Sequence, residues 1–253
     1  MFDPFNDFQT AGYLRNAEAQ KDPKKIRRAE HVAFMVGLEQ ALDQLKRRRA
    51  DLTYADYLRV HKTLFQDYYP WAGMDRHDLG VRKLITKGPN VQFELSENCC
   101  KAVEWGLSMG NDVKHIRERP GEVMGAFAWG HPFLDGNGRA MLLVHSELCH
   151  RAGFAIDWIA SNKADYLTAL THELAHPRDQ ALDAYFASLI VESRPRADWT
   201  AYFKSIPGLS GLDDEEEHVG YNDDDPDALA RYEETKRQRE LADQPKQPDH
   251  KVG

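Results

Sequence analysis

The sequence predicts an all-α protein: a compact helical bundle carrying one short β-hairpin, followed by an acidic, partly helical C-terminal extension. Three observations lead there. Apolar residues recur at helical spacing through most of residues 25–205. Only residues 80–95 hold a convincing extended stretch, broken by a Gly-Pro-Asn turn. After Pro207-Gly208 the composition turns abruptly acidic, which puts the domain boundary there: 1–207 as the main domain, 208–253 as the extension.

Taken in order, Ile26, Ala29, Val32, Ala33, Val36, Leu38, Ala41, Leu42 and Leu45 predict a helix over about 25–45. The Lys46-Arg47-Arg48-Arg49 run suits the negative end of its dipole. Thr53 is a suitable N-cap for a second helix reaching about Gln66, and Tyr68-Tyr69-Pro70-Trp71-Ala72-Gly73 reads as an aromatic turn. The hairpin comprises Gly80 to Lys87, the Gly88-Pro89-Asn90 turn, and Val91 to Phe93. Ser96 opens a helix and another ends near His131. Further helices are expected over about 136–152, 162–176, 179–193 and 197–204. In the extension, Asp213 to Glu217 and Asp223 to Asp225 precede a polar helix over about 226–242 and a disordered end.

Residues 211–253 hold 14 acidic and 6 basic side chains, which accounts for the whole net charge of −8. The body is therefore neutral and gives no electrostatic reason to expect nucleic acid as a partner. No segment approaches the ~20 apolar residues that cross a bilayer, so no membrane is expected. The N-terminus shows no secretory signal, and three cysteines form no disulfide framework, which suits a reducing, cytoplasmic setting.

The chemistry concentrates in His131-Pro132-Phe133-Leu134-Asp135-Gly136-Asn137-Gly138-Arg139, between the apolar segments Val123–Trp129 and Met141–Leu148. Gly136-Asn137-Gly138 at a helix start lets successive N–H groups converge on an anion such as a phosphate. Arg139 in the first turn offers a planar fork to a second phosphate. Asp135 supplies a hard oxygen ligand for Mg²⁺. His131 titrates near the working pH and can accept a proton from an attacking hydroxyl. Phe133 anchors the loop. Each feature alone is ordinary turn chemistry; their packing into nine residues is not.

This loop matches, at every specified position, the signature of the Fic family, His-Pro-Phe-x-Asp/Glu-Gly-Asn-Gly-Arg, and the likeness extends from about Tyr13 to about Ile190. The resemblance implies a compact α-helical bundle with a hairpin flap over the active site. It also implies Mg²⁺-dependent transfer of AMP from ATP to a Tyr, Thr or Ser hydroxyl of a target protein. On it, His131 is the general base and Asp135 the metal ligand. Gly136, Asn137 and Gly138 hold the α-phosphate and Arg139 the phosphates beyond it. The flap residues Leu84, Ile85, Thr86 and Lys87 align the target segment by strand-like pairing.

Two departures qualify the resemblance. Many members carry a second arginine three residues after the first, where this chain has Leu142. Its absence leaves room for UTP- or CDP-choline-type donors, or for a non-catalytic nucleotide-binding module. The inhibitory helix Ser/Thr-x-x-x-Glu-Gly/Asn is missing too; Ser188 to Ser193 approaches it but reads as part of the bundle. Control would then fall to a separate small, antitoxin-like protein or be absent. A rival motif, His172-Glu173-Leu174-Ala175-His176, is a literal zinc-protease pattern, but Pro177 biases His176 away from helix and no third ligand is evident.

Overall fold

The computed structural model describes residues 2–88, 91–209, 219–221 and 226–242. The expected turn residues Pro89 and Asn90 and the expected disordered end lie outside the described residues. A short helix, α1 (Phe8–Ala11), leads to α2 (Pro23–Arg47), where the Asp22 carboxylate accepts from the Lys24 N–H at 2.9 Å and Pro23 occupies the first turn. Its buried positions Ile26, Glu30, Ala33, Phe34, Leu38, Ala41 and Leu45 form one stripe at helical spacing. That stripe packs on α3 (Tyr54–Phe65), which starts at Thr53; the Asp56 carboxylate reaches back to the Thr53 N–H at 3.0 Å.

The hairpin is narrower than its sequence suggests: β1 (Ile85–Lys87) pairs antiparallel with β2 (Val91–Gln92). A 3₁₀ turn at Ser96–Asn98 then leads into α4 (Cys99–Asn111), followed by α5 (Val113–Glu118) and α6 (Pro120–Gly130). Only Glu122 of α6 escapes burial, as suits a central helix apolar on every side. Next come α7 (Asn137–Arg151), β3 (Phe154–Ile156), α8 (Lys163–Ala175), α9 (Ala181–Phe186), β4 (Ile190–Glu192) and α10 (Trp199–Ser205). The helices surround α6 and α7, and among the described residues none is long and apolar enough to cross a membrane.

Two readings need correction. The helix expected over 179–193 stops at Phe186, and Ile190–Glu192 pairs antiparallel with β3 instead. The β-branched Ile190-Val191 pair finds a strand partner there that periodicity along one segment cannot reveal. The 80–95 stretch is also not the sole extended region, since the chain contributes a fifth strand, β5 (Val219–Tyr221). This strand pairs antiparallel with β1 on the edge opposite β2, giving the sheet order β2-β1-β5.

The polar helix of the extension, α11 (Pro226–Ala242), lies against the body. Ala228, Tyr232, Thr235 and Arg239 are buried, one stripe of a helix. Tyr232 donates to the Glu94 carboxylate at 2.5 Å, and the same carboxylate accepts from the Trp129 indole at 3.2 Å. Arg239 stacks on Trp129 at 4.8 Å and donates to the carbonyls of Glu173 and Leu174.

Candidate active site

The loop from His131 to Arg139 joins the C-terminus of α6 to the N-terminus of α7. His131 caps α6 in the left-handed region, φ 38° and ψ 56°, where glycine or asparagine is the usual occupant. A histidine there is strained by ~1 kcal/mol and persists because other bonds dictate the conformation. Arg76 supplies them. Fully buried, it donates from Nε to the His131 carbonyl at 2.7 Å and from Nη2 to the Glu94 and Gly130 carbonyls. Its own N–H donates to the Pro132 carbonyl at 2.7 Å. The same arginine thus ties the histidine to the chain just beyond β2. The His131 ring stacks on Phe93 with centroids 3.8 Å apart, directly under the flap. Burial, then the charges of Arg76 and Lys87, hold its pKa well below the usual histidine range. The imidazole is therefore neutral at pH 7, the form that can accept a proton.

The rest of the loop is closed on itself. The Asn137 amide accepts from the Phe133 N–H at 2.9 Å and donates to the Phe133 carbonyl at 2.8 Å, so its side chain shapes the loop rather than facing a ligand. Phe133, completely buried, stacks on His61 at 3.6 Å. His61 accepts from the Gly73 N–H at Nδ1, 2.9 Å, which places its proton on Nε2, 3.0 Å from the Asp135 carbonyl. Burial lowers the His61 pKa to about 3, so it is a neutral strut between the aromatic turn and the loop.

The two glycines differ. Gly136 has φ 74°, and a Cβ there would meet Phe65 at 2.5 Å, so packing and backbone both demand glycine. Gly138 sits in the first turn of α7 and is exposed, and a Cβ added there would meet nothing within 4 Å. A glycine in a helical turn costs about 1 kcal/mol against alanine. With no packing reason for it inside the protein, the bare backbone suits close approach of something outside, at a helix end whose first N–H groups lack helical partners.

Asp135 is half-buried, and one of its carboxylate oxygens accepts from the Gly136 N–H at 2.6 Å. Among the described residues no cluster of three or more potential metal ligands occurs. A single carboxylate beside an anion-binding helix end fits Mg²⁺, which takes its other ligands from phosphate and water, and not a metal caged by protein. Arg139 forms an ion pair with Glu30 of α2 and lies 4.7 Å from the Phe65 ring. Burial opposes its charge, but Glu30 and Asp135 outweigh this and raise its pKa. Burial raises the Glu30 pKa to about 7 against the pull of Arg139. Leu142, on the next turn of α7, is buried.

His131, Asp135, Gly138 and Arg139 thus share one short loop, with the flap above His131. The flap residues divide: Leu84, Ile85 and Thr86 are buried, and Lys87 is half-buried. Both edges of β1 are paired, so the edge expected to receive a target carries β5. Arg76, His61 and Glu30 escaped sequence reading; the available signal was Glu30, on the apolar stripe of α2 between Ile26 and Ala33. The zinc-protease pattern does not assemble. α8 ends before His176, His172 contacts Asp179 at 2.8 Å, and Glu173 turns inward to the Leu182 N–H. Near Ser188, β4 replaces the helix that an inhibitory motif would need.

Residues 51–149 match the model of the Fic/DOC family. The chain is 28% identical over 162 residues to protein adenylyltransferase VbhT of Bartonella schoenbuchensis, covering 62% of this chain and 32% of that protein, so it spans about a third of that relative. It is 26% identical to the probable protein adenylyltransferase y4lH of Sinorhizobium fredii, over 57% of this chain and 74% of the relative. Among solved structures, BepC of Bartonella tribocorum with bound AMPPNP aligns with a TM-score of 0.58 and 22% identity, covering 71% of this chain and 92% of that one. The N-terminal Fic domain of a Bartonella quintana Bep effector with bound ADP gives 0.60 and 20%, covering 75% and 96%. The fold is that of these Fic domains.

Proposed function

We propose, on the match of residues 51–149 to the Fic/DOC family model, that the chain transfers AMP from ATP onto a Tyr, Thr or Ser hydroxyl of a target protein. The observation that carries this reading is Gly138: bare backbone at the start of α7, facing open space, beside the histidine, carboxylate and arginine of one loop. The names of the two adenylyltransferase relatives and the nucleotides in the BepC and Bep structures support it.

In this reading the α-phosphate rests on the first N–H groups of α7, with Arg139 reaching the phosphates beyond. Asp135 holds Mg²⁺, which neutralises phosphate charge when bound. The target hydroxyl oxygen attacks the α-phosphorus, the bond to the bridging oxygen breaks, and pyrophosphate leaves with the electron pair. Neutral His131 takes the hydroxyl proton, its ring fixed by Phe93 and its carbonyl by Arg76. The work belongs in the cytoplasm, and with no inhibitory helix among the described residues, control either falls to a separate small protein or is absent. Buried Leu142 favours one variant, a donor with fewer phosphates beyond the transferred group.

The test uses ATP labelled at the α- or γ-phosphate, a lysate, and the chain with or without Mg²⁺. Label should enter protein from the α position only, need Mg²⁺, and fall ~10²–10⁴-fold in His131→Ala. An unchanged rate in that variant would sink the mechanism.

A further inference from the structure

The third strand of the flap sheet comes from beyond the main helical body. β5 lies along β1 in the register Ile85↔Tyr221, Thr86↔Gly220 and Lys87↔Val219, on the edge that strand-like target alignment would use. Adjacent strands sit ~4.8 Å apart, so one edge accepts one strand at a time. The chain brings β5 there on a helix with its own anchors: Tyr232 to Glu94, and Arg239 over Trp129, two residues before His131. The charge pattern of the two partners is complementary. The stretch 82–87 carries Arg82, Lys83 and Lys87 and no acid, whereas Val219-Gly220-Tyr221 is flanked in sequence by Asp213 to Glu217 and by Asp223 to Asp225.

We propose that the outer edge of the flap is a docking edge for an extended segment with acidic flanks. The chain's own strand 219–221 holds this edge, and a target must displace it. This deepens the transferase reading and rests on it for what the docked segment is for; occupancy of the edge can be tested without any transfer. A target is then recognised as an extended acidic stretch, and the extension acts as a built-in competitor. A strand tethered by a short linker competes at an effective concentration of about a millimolar. A free peptide with a dissociation constant of ~0.1 mM should therefore bind the intact chain about tenfold more weakly than a chain whose strand has been released.

The probe is a fluorescent peptide of residues 214–225, and the proteins are the full chain, Gly220→Pro, and a Val219→Pro/Tyr221→Pro double variant. Phe93 donates to the Ile85 carbonyl, so Ile85 and Lys87 face β2 and Thr86 faces Gly220. Proline at 220 therefore removes the donor that faces β1, whereas the N–H groups lost at 219 and 221 face away and make the double variant a control; α11 and its anchors stay untouched in both. Amide exchange over 228–239 confirms that the helix remains docked. Expected results are slow exchange of the Thr86 amide in the full chain and the double variant, faster exchange in Gly220→Pro, and at least tenfold tighter peptide binding to Gly220→Pro. A peptide with serine at its acidic positions should bind several-fold more weakly, with the difference shrinking at high salt. A Thr86 amide that exchanges equally fast in all three proteins would overturn the proposal. So would equal peptide affinity across the proteins, or indifference to the peptide's acidic residues. Failure of the transferase reading would show instead as absence of His131-dependent labelling, with these binding results unaffected.

Discussion

Arg76→Leu removes a buried side chain that holds the catalytic loop to the chain just beyond the flap. Its two short bonds, to the carbonyls of His131 and Glu94 at 2.7 Å each, are charge-assisted and contribute ~1.5–3 kcal/mol apiece. Against that loss, leucine avoids the desolvation of a buried guanidinium and contributes ~2 kcal/mol of burial of its own. The two carbonyls are left without their donor in a site closed to water, at ~1–3 kcal/mol each. The net expectation is destabilisation by ~2–4 kcal/mol, with activity hit harder than stability. His131 holds its left-handed conformation because its carbonyl is pinned, and a misplacement of ~1 Å costs about 10²-fold in rate. Arg76→Lys should recover part of the stability and little of the rate, since a single ammonium cannot span the carbonyls of two segments. Urea unfolding and α-labelled ATP transfer, run where all three proteins are folded, separate the two effects. Stability within ~0.5 kcal/mol of wild type, together with a rate within twofold, would refute the pinning argument.

Glu30→Gln should tighten ADP binding about tenfold at pH 8 and leave it nearly unchanged at pH 6. Removing one unit charge near a bound phosphate is worth ~1–2 kcal/mol, and a group with pKa about 7 is mostly protonated at pH 6. Calorimetric titration at both pH values checks this, and weaker binding at both would mean that Glu30 chiefly positions Arg139. The acid limb of the transfer rate should lie below pH 6.5, because burial and two cations disfavour protonated His131. Lys87→Met removes one of those cations, so the limb should move to higher pH; a pH–rate profile that stays put would exclude Lys87 as a contributor. Asp135→Asn should abolish the Mg²⁺ dependence of nucleotide binding, and an unchanged Mg²⁺ titration would place the metal elsewhere.

The main helices and the nine-residue loop were legible because their signals are local. Spacing along one segment reveals α2, α3 and α7, and the loop's residues are consecutive. What escaped depends on partners far along the chain. Arg76 acts on a carbonyl 55 residues away and Glu30 on a guanidinium 109 residues away, and neither separation leaves a trace in sequence. β4 and β5 are three-residue strands whose identity comes from their partners β3 and β1. α11 reads as a wholly polar helix because two of the four residues on its buried stripe are Thr235 and Arg239. Thr235 and Arg239 lie inside the protein all the same, and Arg239 gets there by stacking on Trp129 and bonding two carbonyls. The same local rules that reveal α2 therefore hide the contacts of the extension with the flap.

The central claim, that the loop from His131 to Arg139 moves a phosphate-containing group onto protein, is tested most directly by intact-mass analysis. The chain and its His131→Ala variant are incubated with Mg²⁺, a lysate, and separate pools of ATP, the other nucleoside triphosphates and diphosphate conjugates. The account predicts an AMP increment on protein from the ATP pool, present with His131 and absent without it. An increment of another kind would keep the mechanism and change the donor. No increment from any pool, with Mg²⁺-dependent nucleotide binding intact, would contradict the account and leave a nucleotide-binding module.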